Sequence, residues 1–216
     1  MDHARLGLAP RSVAFGPLTI AYDERVLTPR PWTVLQAEWA RELLAAAPPG
    51  AVLELCSGAG QIGLLAVHGT DRRLVCVDAD PVACGYAAAN ARAAGRADLV
   101  EVREARLGEL DPGEVFPIVV ADPPWVRTDQ VGCFPADPVL AIDGGDDGLR
   151  VARECVAVID RHLHAEGAAL LQLGSVEEAR RLREELPATL ELADVRGEPG
   201  CGLVLLLRRP EGPKKH

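Results

Sequence analysis

The chain has 216 residues, 48% hydrophobic and 25% charged, which suits a folded domain whose core needs no disulfides or structural metal. Lys and Arg number 23 against 32 Asp and Glu, a net charge of -9 that opposes broad electrostatic binding to nucleic acid. No apolar run approaches about 18 residues, and "MDHARLGLAP" lacks a basic-then-apolar leader, so neither a membrane span nor a signal peptide is expected.

Residues 12–28, "SVAFGPLTIAYDERVLT", predict a small hairpin. "PRPWT" at 29–33 cannot be helix interior, and Thr33 is placed to cap the helix "VLQAEWARELLAAA", which "PPG" at 48–50 stops. From residue 51 strands and helices alternate. Strands are expected at 51–55, 73–78, 99–104, 117–121 and 168–174. Helices are expected over "QIGLLAVHG", "PVACGYAAANARAAG", "DGLRVARECVAVIDRHLH" and "VEEARRLREEL". The last two strands, "TLELADVR" and "GLVLLLRR", are close enough to form an antiparallel pair. This pattern predicts an α/β fold, a doubly wound, mostly parallel sheet covered on both faces. Its ligands belong beyond the carboxyl ends of the strands, where the strand order reverses. One domain is expected over 1–216, with the hairpin and first helix in 1–50, a core in 51–208 and a mobile tail in 209–216. The six cysteines (Cys56, Cys76, Cys84, Cys133, Cys155, Cys201) form no CxxC pair and predict small buried residues in a reducing cytoplasm, with no metal site.

The unusual residues gather at strand ends. The first parallel strand ends in "ELCSGAGQIG", where Gly58 and Gly60 leave room for a ligand near the backbone and Gly63 allows close helix–strand packing. Glu54 opposes a pyrophosphate and favours a ligand bearing an ammonium group. The second strand ends in Asp78, which can accept two hydrogen bonds from ribose hydroxyls, while Asp80 is better placed to cap the helix starting at Pro81. The fourth strand runs into "ADPPW". Pro123 and Pro124 can present carbonyls rigidly, Asp122 adds acceptor oxygens, and Trp125 offers a π-face to a planar –NH2 group.

"ELCSGAG" followed by "VDAD" and "ADPPW" resembles the class I S-adenosylmethionine-dependent methyltransferases. That resemblance implies a Rossmann-like seven-stranded sheet with an antiparallel C-terminal pair. It implies S-adenosyl-L-methionine as cofactor, with Glu54 toward its ammonium, Ser57, Gly58 and Gly60 along the methionine and ribose, and Asp78 with Ala79 at the ribose. Asp122, Pro123, Pro124 and Trp125 would form the catalytic motif, with Asp122 also touching cofactor. "VLTPRPWT" (26–33) and "LAIDGGDDGL" (140–149), in that order, narrow the resemblance to the HemK/PrmC-like group of release-factor glutamine methyltransferases, with Thr33 helping to close the cofactor pocket. Within that glycine run, Asp146 or Asp147 is placed to cap the next helix.

The chain departs from the group at named positions. Asp122 and Trp125 stand where Asn and Tyr are usual, Trp32 replaces an acid, and Ala105 falls where an acid near the adenine amine is common, strand alternation turning Glu104 the other way. The resemblance implies a chain without the helical N-terminal domain of bacterial members, like the short members that work with a small partner subunit. The expected activity is methyl transfer to a planar nitrogen of a protein or peptide amide, or to a small molecule. Alternatives are a nucleic-acid base as acceptor and a catalytically silent, cofactor-binding subunit.

Overall fold

The structure, a computed structural model, describes residues 10–197 and 200–210. Strands β1 (Arg11–Phe15) and β2 (Leu18–Tyr22) form the expected hairpin, turning through Gly16 at positive φ. A 3-10 turn at Pro31–Thr33 leads into α1 (Val34–Leu44). Thr33 occupies the capping position, but its hydroxyl donates back to the Arg30 carbonyl and caps nothing. The helix ends three residues before Ala47. There the Arg72 guanidinium donates to the carbonyls of Ala47, Pro48 and Gly50, satisfying groups the helix would otherwise have used.

The core then alternates as expected: β3 (Val52–Leu55), α2 (Gln61–Ala66), β4 (Leu74–Asp78), α3 (Pro81–Ala93), β5 (Val100–Glu104) and β6 (Phe116–Ala121). The stretch after β6, read from sequence only as a long connection, holds β7 (Val126–Arg127), α4 (Val139–Ile142) and β8 (Asp143–Gly145). It is followed by α5 (Arg150–His162), β9 (Leu163–Leu173), α6 (Val176–Glu184), β10 (Glu191–Gly197) and β11 (Leu203–Arg208). β9 starts as soon as α5 ends, several residues earlier than its apolar run suggested, because Phe116 of β6 already pairs with Leu163.

Seven strands form one sheet in the order β10-β11-β9-β6-β3-β4-β5. β3, β4, β5, β6 and β9 are parallel, while β11 runs antiparallel to both β9 and β10. Alternation along each strand divides the core. Val52, Leu74, Ile118 and Val120 pack with α1, α2 and α3 on one face. Leu53, Val75, Val119 and Leu171 pack with α5 and α6 on the other. Sequence order reverses between β3 and β6, so a crevice is required beyond Leu55 and Ala121.

Two expectations are corrected here. Cys76, Cys84 and Cys155 are buried, but Cys56 and Cys201 are half-buried and Cys133 is exposed on a surface turn. Arg209, assigned to a mobile tail, is tied to the Asp160 carboxylate at 2.7 Å and to the Leu163 carbonyl at 3.2 Å. The rest of that tail, 211–216, lies outside the described residues, as does 1–9. Among the described residues no helix is long and apolar enough to cross a membrane.

Candidate functional site

A cavity of about 600 Å³ opens at the strand-order reversal, large enough for a ligand of nucleoside-plus-amino-acid size. Three carboxylates come to this edge from three adjacent strands. Glu54 shares its sheet face with Val52, Asp78 with Leu74 and Cys76, and Asp122 follows Val120 by two residues. The period of two therefore turns all three toward the side of the sheet that carries α1, α2 and α3.

Asp78 and Asp122 line the cavity, while Glu54 is sealed just beneath, 1% exposed. Burial pushes the Glu54 carboxyl up to about 7, with the charges of Asp122 and Asp78 adding to the rise. Burial likewise raises Asp122 to about 7, opposed only by Arg30. Asp78 is raised too, again mainly by burial, although backbone N–H groups favour its charged form. Desolvated acids facing one another in this way are stabilised by an incoming cation and repel an anion.

The glycine turn explains itself locally. Cys56 and Gly58 both have positive φ, a conformation that glycine adopts freely and cysteine rarely. Asp78 fixes this turn, accepting from the Gly58 N–H at 2.8 Å and from the Asp80 N–H at 2.9 Å. Asp80 in turn caps α3 through the Val82 N–H, so the two acids divide the roles as their spacing suggested. Nothing stands within 4 Å of a methyl built on Gly58, which leaves open space in front of its backbone. Gly60 differs from expectation. It starts α2 at positive φ and lies against Ala87 of α3, serving packing rather than the cavity.

Several buried polar atoms around this turn lack partners among the described residues: Glu54 Oε1, Ser57 Oγ and Gln61 Oε1. A buried polar group left unpaired costs about 1–3 kcal/mol. Orphaned acceptors below an acid-lined cavity fit a ligand with donors and positive charge. The donor set thus fits S-adenosylmethionine, which carries an ammonium, a sulfonium and two ribose hydroxyls.

The acceptor-side motif is held by glycines. A methyl on Gly144 would overlap the Pro124 carbonyl and Trp125 Cα, and one on Gly148 the Trp125 carbonyl. β7 and β8 pair Val126 with Asp143 and Arg127 with Gly145, so the glycine run lies flat on the segment after Pro124. Asp147 does its local work as well, accepting from the Leu149 N–H and pairing with Arg153 at 2.7 Å. Asp122, Pro124 and Ala79 line the cavity. Pro123 is buried away from it, and Trp125 lays its six-membered ring against Gly174 at the end of β9. Thr33 is buried and does not reach the wall either.

Glu104 requires a correction. It pairs in register with Asp78, and neighbours across a parallel pair point the same way, so Glu104 lines the cavity beside Ala105 instead of turning off. Three contributors went unread in the sequence. Gln36, wholly buried in α1, donates to the carbonyls of Ala121 at 2.9 Å and Leu170 at 3.1 Å, tying β6 to β9 just before Asp122. The signal was a lone amide in an apolar helix face. Arg30 pairs with Asp137 at 2.5 Å, and no spacing in the sequence announces that contact. Arg25 is held at the cavity rim by the buried Asp23, which also accepts from Tyr86 at 2.8 Å.

The chain matches no family model. It is 36% identical over 176 residues to the release factor glutamine methyltransferase of Mycolicibacterium smegmatis, covering 78% of this chain and 61% of that one. The chain is HemK/PrmC-like. The ribosomal protein uL3 glutamine methyltransferase of Bordetella pertussis is 31% identical over 162 residues, 70% of this chain and 53% of its own length. The HemK/PrmC-like chain thus spans between half and two thirds of the length of these relatives. In fold it is similar to the RNA methyltransferase from Salinibacter ruber solved with S-adenosyl-L-homocysteine. That match has a TM-score of 0.56 and 20% identity, covering 88% of this chain and 98% of that one. Such likeness establishes the class I methyltransferase architecture.

Proposed function

We propose that the chain is an S-adenosylmethionine-dependent N-methyltransferase acting on the side-chain amide of a protein or peptide. The observation that carries the reading is the meeting of Glu54, Asp78 and Asp122 at one cavity, with an open glycine turn on one side and the Asp122–Pro124 segment on the other. Relatives that methylate glutamine in a release factor or in ribosomal protein uL3 support an amide as acceptor. A cytoplasmic site of action suits acceptors of that kind. A small activating partner subunit remains part of the proposal.

When bound, the cofactor supplies a methyl group on a good leaving group, a sulfonium. The protein's task is therefore to bind, orient and exclude water. Asp78 keeps lone pairs for ribose hydroxyls after accepting two backbone N–H groups. Glu54, fixed under the turn, holds negative charge toward the ammonium. Pro124 and Asp122 hold the planar acceptor at the other end of the cavity. The net charge of -9 counts against a nucleic-acid acceptor.

The test is incubation of the purified chain with methyl-labelled cofactor and either a release factor or ribosomal protein uL3, followed by peptide mapping. Label on a glutamine is the expected result. Absence of S-adenosylhomocysteine binding by calorimetry would end the proposal, and label entering only RNA would redirect it.

A further inference from the structure

Asp122 has an unusual setting for an acid. It lines the cavity, yet among the described residues no hydrogen-bond donor reaches its carboxylate. Arg25, Asp80, Glu104, Arg106 and Glu109 line the same cavity. Arg30, from the stretch before α1, is the cation that acts on it, and that guanidinium is already paired with Asp137 at 2.5 Å. From β3 comes Glu54 and from β4 Asp78, both acids, while the turn after β3 adds the Cys56 thiol, kept neutral by its contact with Cys155 and by burial. Across the cavity α5 presents Arg150 and Glu154, one charge of each sign. Asp122 thus faces a buried carboxylate neighbour with no counter-ion of its own.

Two desolvated acids at one site do not both ionise readily. Glu54 accepts from the Gly63 N–H and the Cys76 thiol, contacts that favour its charge, whereas Asp122 accepts from no donor among the described residues. The proton then stays on Asp122. We propose that Asp122 works as a neutral carboxylic acid that reads a primary carboxamide, donating its O–H to the amide carbonyl and accepting from the amide –NH2. This deepens the function proposed above and rests on it. A neutral acid and a primary amide are complementary, each offering one donor and one acceptor, whereas a carboxylate only accepts and would repel the amide carbonyl. A lysine or other cationic amine has no acceptor to offer that O–H. Neutral Asp122 is not a base, so the proton shed by the methylated nitrogen passes to water.

The experiment uses the full chain, saturating S-adenosylmethionine and a glutamine-containing peptide taken from a release factor, with the same peptide carrying lysine as control. Transfer is followed from about pH 6 to pH 9 together with S-adenosylhomocysteine binding. The expected rate for glutamine falls about tenfold per pH unit above a midpoint near 7. D122N, a permanent amide in that place, removes this fall and overtakes the natural chain at about pH 8.5, while D122A loses transfer at every pH and still binds S-adenosylhomocysteine. A rate that rises through pH 7, a D122N variant that binds cofactor but is as inactive as D122A, or preference for the lysine peptide would overturn the proposal. Failure of the natural chain to bind S-adenosylhomocysteine would instead sink the methyltransferase reading beneath it.

Discussion

Gly63 of α2 leaves the space that the Glu54 carboxylate fills. A methyl group built on Gly63 would overlap Glu54 Oε2 and come within 2.7 Å of Leu74 Cδ1. A glycine inside a helix ordinarily costs about 1 kcal/mol relative to alanine, so Gly63→Ala should stabilise if propensity decided. Here the sign reverses. The β3 strand cannot withdraw from the sheet, and the buried acid has nowhere else to go. Gly63→Ala is expected to lower stability by about 1–3 kcal/mol and to weaken S-adenosylhomocysteine binding at least tenfold. A melting temperature at or above that of the natural chain, with unchanged affinity, would contradict the geometry.

Asp78 joins the glycine turn to the ligand side of the cavity. Its carboxylate holds the Gly58 and Asp80 N–H groups, so Asp78→Ala removes a ligand contact and loosens the turn together. The expected result is a loss of S-adenosylhomocysteine affinity of about 100-fold in calorimetry, with folding retained because Asp80 keeps the α3 cap. Asp80→Ala is the contrast. It should cost about 1 kcal/mol of stability through the cap and leave affinity within a few-fold.

Much of this was legible in the sequence, for reasons that differ from residue to residue. The parallel strands were visible because both faces of β3, β4 and β6 are buried, giving unbroken apolar runs. Asp78 and the Gly58 turn were visible because chain order brings strand ends and turns together. What did not show were contacts made across the fold. Trp125 reads as an aromatic platform, yet its ring position is set by Gly174, about fifty residues away in sequence. The β7–β8 pair is too short to produce a period, and glycines at 144 and 148 let the two backbones approach. Glu104 was misread because its direction follows its in-register partner Asp78 on the neighbouring strand, a pairing between distant parts of the chain.

The stability of the ligand-free chain should depend on pH in a direction that the acids fix. Glu54 and Asp122 are both raised, from ordinary values near 4.5 and 3.8 to about 7. Between about pH 4 and pH 7 the folded chain therefore binds more protons than the unfolded one, and stability falls as pH rises. Above about 7 both states are ionised and these two groups add no further slope. Each is expected to contribute on the order of 3–4 kcal/mol to this fall. Asp122→Asn should flatten the decline, so that denaturant unfolding shows the variant gaining on the natural chain at about pH 8 and not at about pH 4. A variant equally shifted at both pH values would mean that the Asp122 carboxyl titrates normally.

The placement of Trp125 can be tested without touching the ring. Gly174 ends β9, and a methyl there would overlap Trp125 Cε3 and lie 2.7 Å from Cδ2. The ring is rigid, and its backbone is clamped by Gly144 and Gly148, so Gly174→Ala must move the Asp122–Trp125 segment as a unit. Displacement of a positioning group by about 1 Å costs on the order of 100-fold in rate when orientation carries the catalysis. Gly174→Ala is therefore expected to reduce methyl transfer by one to two orders of magnitude, while S-adenosylhomocysteine affinity changes less than about threefold. Combining it with Trp125→Ala separates the causes. If the overlap alone is responsible, removing the ring relieves it, and the double variant loses no more activity than Trp125→Ala does by itself. Additive losses would place the effect of Gly174 elsewhere, at the Ser175 turn that opens α6.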